Sequence, residues 1–77
     1  MRYYLIRDTN TILFLHKTYD SISTIYQMCV MPPQEKYLEL VRITTNEFGE
    51  VVETLLLESF SKDSGPITHS YCIHSPQ

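Results

Sequence analysis

Two adjacent prolines, Pro32 and Pro33, constrain the fold more than any other feature of the chain. A residue before proline is pushed out of the α region, so no helix runs through this point. The segment before them carries Ile22, Ile25, Tyr26, Cys29 and Val30 at positions i, i+3, i+4, i+7 and i+8. That spacing is one apolar stripe of an amphipathic helix. Ser21, Ser23, Thr24 and Gln27 take the other side. Thr18 is a credible N-cap, and Asp20 in the first turn suits the helix dipole. At roughly three turns, the helix needs tertiary packing to persist.

Strand patterns flank this helix. Arg2 to Arg7 is rich in aromatic and branched side chains, and Ile12 to His16 reads as its return strand. Between them Asp8-Thr9-Asn10-Thr11 is a cluster of turn formers, with Asn10 the residue best suited to a left-handed conformation. Beyond the prolines, Tyr37 to Thr45 is a third strand. It is followed by Asn46-Glu47-Phe48-Gly49, the pattern of a type I turn closed by a left-handed glycine. Glu50 to Phe60 then forms the partner strand of a second hairpin. A rival exists here: Phe48, Val51, Val52, Leu55, Leu56 and Phe60 also fit a helical stripe, which would give a second helix at about 47–61. Gly49 and the run Val51-Val52-Glu53-Thr54 favour the strand. Lys62 to Pro66 is a loop by composition, and Ile67 to His74 a terminal edge strand.

The order β-β-α-β-β-β implies a small α+β domain: an antiparallel sheet with one helix packed on one face. One helix cannot cover both faces, so the other is expected to be wet or to meet a partner. The 77 residues make one domain, 1–77, with 75–77 as a flexible tail. A domain this small buries only about two-thirds of its unfolded surface, so its stability margin is thin. Self-association into a homo-oligomer is one way to widen it.

Motifs that announce chemistry are missing from the sequence. Cys29 and Cys72 are too few for a disulfide framework, and could pair only if the terminal strand packs beside the helix. His69, Cys72 and His74 lie close together, but no Cys-x-x-Cys or His-x-x-x-His spacing supplies a four-ligand metal set. With only Gly49 and Gly65 there is no phosphate-cradling glycine loop, and no Gly-x-Ser-x-Gly turn occurs. The expectation is a non-enzymatic protein without metal or cofactor. The stretch Met1–Asp8 is broken by charge, unlike a signal peptide, and no apolar run reaches transmembrane length. A cytosolic location with reduced thiols follows as the default.

Charge and tyrosine content point to the partner. The net charge is −3, and Arg2, Arg7, Lys17, Lys36, Arg42 and Lys62 are scattered singly. Nucleic-acid binding draws on clustered cations, so a nucleic-acid or transcription-regulating role is the runner-up. Six tyrosines are the one compositional excess, and tyrosine is enriched at protein interfaces. Tyr3 and Tyr4 are consecutive, so on a strand they face opposite sides and only one can meet the helix. The leading expectation is a protein-interaction module binding a larger protein, possessed of a basic surface, through Tyr3, Tyr4 and the acidic hairpin residues Glu47, Glu50 and Glu53. In size and layout the chain resembles the short accessory proteins that phages and mobile elements encode against host machinery. The resemblance includes no family motif.

Overall fold

The computed structural model describes the backbone of residues 1–74 and the side chains of residues 1–69. Its elements are β1 (Arg2–Arg7), β2 (Thr11–His16), α1 (Tyr19–Val30), β3 (Tyr37–Thr45), β4 (Val51–Ser61) and β5 (Gly65–His74). All neighbouring strands are antiparallel, in the order β2-β1-β3-β4-β5. The expected α+β architecture is therefore present, with α1 between β2 and β3.

Residues 47–61 are not a helix. The apparent helical stripe there has no common face, since Phe48, Val51 and Val52 are exposed while Leu56 and Phe60 are buried. Instead β4 is hydrogen-bonded on both sides, to β3 and β5, which a helix could not be. The preceding turn is built as the sequence implies. Gly49 (φ 81°) donates its N–H to the Asn46 carbonyl at 3.0 Å. Asn46 Oδ1 accepts from the N–H groups of Phe48 at 2.9 Å and Glu50 at 3.0 Å.

Helix α1 begins and ends for local reasons. Thr18 is extended (φ −121°, ψ 148°), and its hydroxyl oxygen accepts from the Ser21 N–H at 3.4 Å. Before the prolines Met31 has left the helical region, at φ −134° and ψ 87°. The stripe packs on one face of the sheet, here the inner face. Ile22, Tyr26, Cys29 and Val30 form a buried cluster with Leu5, Leu38, Leu40 and Phe60. Tyr3, Leu13, Ile25 and Leu57 pack around it.

The first turn differs from expectation in one respect. The left-handed residues are Asp8 (φ 52°) and Thr9 (φ 67°), not Asn10. With Asn10 N–H donating to the Arg7 carbonyl at 3.1 Å, this is a type I′ turn, whose hand matches strand twist. Register with β1 thus outweighs the local preference of Asn10. A β-branched residue at positive φ is strained, by roughly 1–2 kcal/mol. Thr9→Gly is expected to stabilise the protein by a net of roughly 0.5–1 kcal/mol, after the added freedom of the unfolded chain is subtracted. A urea melt would show a higher midpoint with an unchanged slope.

Candidate functional site

The face opposite the helix, here the outer face, is where the register places an apolar surface, and none of the described elements packs on it. Tyr4 pairs with Val41 and Val41 with Leu56, so these three share that side, as do Ile6 and Ile43. Directly paired residues point the same way across a sheet. From the edge strand, Leu15 opposite Tyr4 and Ile12 opposite Ile6 join them. Val41 and Leu56 are buried outside the helix cluster. Half-buried Tyr4, Ile6 and Ile43 lie on the β1 and β3 side of them, and Ile12 and Leu15 are exposed at the margin. Register shifts in each hairpin bend the strands that carry this surface.

Polar groups sit at the two ends of this surface. At one end Tyr37 donates its hydroxyl to Glu39 at 3.0 Å. At the other, Arg2 stands between two shallow depressions of about 260 Å³ each. One is lined by Tyr4, Ile43, Thr45 and Gly49 besides Arg2, the other by Leu15, His16 and Lys17.

The five candidate contacts are not brought together. Tyr4 lies on the outer face, and Glu47 is exposed in the turn, two residues before Gly49. Tyr3 lies on the inner face against the helix cluster, with its ring edge-on to Tyr19 at 5.9 Å. Glu53 forms an ion pair with Arg42 at 3.3 Å. Glu50 accepts from the Asn46 side-chain amide at 3.1 Å, within the turn. Glu50 and Glu53 are thus engaged by their own hairpin.

The cations do not share a face either. Arg42 and Arg7 follow the inner-face register, opposite Tyr3 and Leu38, while Arg2 follows the outer one. Arg7 pairs with Glu35 at 3.7 Å. Lys36 precedes β3, at the far end of the sheet from Lys17. Among the described residues, Arg2, Arg7, Lys17, Lys36 and Arg42 therefore do not share one face.

One pair escapes a sequence reading. Ser59 Oγ and His69 Nε2 lie 2.8 Å apart, across the β4–β5 hairpin. A serine beside a histidine is two parts of a nucleophile-and-base arrangement. Ser59, however, is buried, and neither depression reaches it. Cys29 is buried in the helix stripe, and burial pushes its thiol pKa up, with Glu35 adding to the shift. That is the opposite of an activated nucleophile. The Cys72 and His74 side chains and the 75–77 tail lie outside the described residues. Among those described, no three His, Cys, Asp or Glu side chains gather to hold a metal, and no helix is long and apolar enough to cross a membrane.

No protein-family model, curated protein or solved structure matches the chain.

Proposed function

We propose that the chain is a non-enzymatic protein-interaction module whose partner docks on the outer face of the sheet. The observation that carries this is the apolar surface of Tyr4, Ile6, Ile12, Leu15 and Ile43 on β1, β2 and β3, continuous with Val41 and Leu56, with the helix on the opposite side. An apolar patch with a charged margin is the usual anatomy of a binding surface. Tyr4 is the central anchor, offering a large ring and a polar tip. Arg2 at the margin suits a carboxylate on the partner, and Glu47 suits a cation. The partner is therefore a folded protein with an apolar patch flanked by charges of both signs. A small inhibitor or adaptor of the phage or mobile-element kind, acting in the cytosol, fits a chain of this size with so little chemistry of its own.

The test has two stages. Tagged protein is used to capture partners from host lysate with and without nuclease, and the retained protein is then purified and titrated. Tyr4→Ala is expected to weaken binding at least tenfold, a loss of roughly 1.4 kcal/mol or more. Tyr19→Ala, exposed on the helix side, is expected to leave affinity unchanged. Equal affinity of the Tyr4 variant and the parent would rule out the outer face. Retention that disappears with nuclease would favour nucleic-acid binding instead.

A further inference from the structure

The sheet has an outer edge at β2, which pairs with β1 alone. The backbone N–H and C=O groups along its free side are a template for another strand. Proteins usually blunt such edges with lysine, proline or inward charge. Here Thr-Ile-Leu-Phe-Leu-His of β2 contains no Asp, Glu, Lys, Arg or Pro. Three of its apolar side chains are open to solvent, with exposures of 59% for Ile12, 42% for Phe14 and 44% for Leu15. The bulge opposite Leu5 and Ile6 twists the strand but leaves Phe14, Leu15 and His16 in unbroken register with β1. The described part of the other edge, Gly65 to His69, is less open. β5 begins Gly65-Pro66, where proline has no N–H to give, and among its described side chains Ile67 is the one exposed large apolar residue.

We infer that the β2 edge is a homotypic interface, in which β2 of one copy pairs antiparallel with β2 of a second copy about a twofold axis perpendicular to the sheet. Charge fits this occupant. The strand itself is uncharged, but Asp8 in the turn before it and Lys17 just after it are exposed and of opposite sign. Antiparallel pairing centred on the strand sets Lys17 of each copy beside the Asp8–Asn10 turn of the other. A parallel arrangement would oppose like charges. The symmetry keeps both helices on one side and joins the two outer faces into one continuous apolar surface. Six-residue strands bury little area compared with a permanent interface, so the dimer is weak, with a Kd between about 10 µM and 1 mM.

Sedimentation equilibrium over that concentration range provides the test. The average mass of the full chain is expected to rise from 9.1 kDa toward twice that value. Phe14 lies near the axis and follows the inner-face register opposite Leu5, so it reports on the edge and not on the partner surface. Phe14→Lys and Phe14→Glu each place like charges across the axis, and each alone is expected to remain monomeric. Mixing the two is expected to restore the dimer. Hydrogen exchange on the unaltered protein gives an independent reading: protection of residues 11–16 should rise with concentration while other edges stay unchanged. Four results would overturn the inference. They are a parent that stays monomeric at about 1 mM, variants that dimerise like the parent, a mixture that stays monomeric while both variants are folded, or growth into open polymers. The last would mean that β2 pairs with β5 head to tail.

Discussion

Tyr26→Ala is expected to cost the fold roughly 3–5 kcal/mol, the usual range for removing a large aromatic from a core. A domain this small has a total stability at the low end of about 5–15 kcal/mol, so much of the population should unfold. The position explains the size of the effect. Tyr26 is 1% exposed at the middle of the helix stripe, in the cluster formed with Leu5, Leu38, Leu40 and Phe60. Its hydroxyl donates to the Ser59 carbonyl of β4 at 3.2 Å, so one side chain ties the helix to two kinds of contact. Tyr26→Phe keeps the ring and removes only that bond, which should cost roughly 1 kcal/mol. Urea denaturation followed by circular dichroism separates the two. Near-equal losses would mean that the hydrogen bond, not packing, holds the helix down.

The same residue gives an alkaline signature. Burial, with the Glu58 charge and Tyr19 adding to it, pushes the Tyr26 pKa up from 10.0 to about 12. The folded protein therefore keeps the phenol proton where the unfolded chain has lost it. The stability from this linkage is fully present below pH 10 and is lost as pH rises through about 12. In the native protein one tyrosine should titrate late by absorbance, and the Tyr26→Phe variant should lack that step.

What the sequence made legible follows from how local each signal is. Helix α1 is readable because the stripe, the Thr18 cap and the Pro32-Pro33 stop each act on backbone within a few residues of themselves. The Asn46 turn was readable for the same reason. The β4 segment was ambiguous because Leu55, Leu56 and Phe60 satisfy either period, and only pairing with β3 and β5 decides between them. The outer face could be foreseen in kind, since Tyr3 and Tyr4 had to part, but not which tyrosine it would hold. That choice depends on β1 lying opposite β3 with Leu5 against Leu40. The Arg42–Glu53 pair and the Ser59–His69 contact likewise depend on register. Glu53 reads as a free acidic contact until the register sets Arg42 near it.

Glu58→Leu is expected to stabilise the protein at neutral pH by roughly 1–3 kcal/mol, the cost of keeping a buried polar group without a partner. Glu58 lies opposite Leu40, on the helix side of β4. Its Oε2 is shut off from solvent, with no hydrogen-bond partner among the described residues. Burial raises its pKa above the ordinary 4.5, so the folded protein binds a proton that the unfolded chain has released. The linked stability is fully present below pH 4.5 and is lost as pH rises through the folded value. The advantage of Glu58→Leu over the parent should therefore grow as pH rises above 4.5, as urea melts at a series of pH values would show. Glu58→Gln should share the pH trend while retaining an unpaired polar atom, and so gain less. A gain independent of pH would assign the effect to packing against Leu40 and remove the buried charge as its cause. A charge retained at this cost beneath the helix stands in contrast to β2, where charge would lower the risk of self-pairing and is missing. Glu58 lies on a central strand that no partner strand can reach, whereas Phe14 lies on the edge, where a single lysine would be enough to close it.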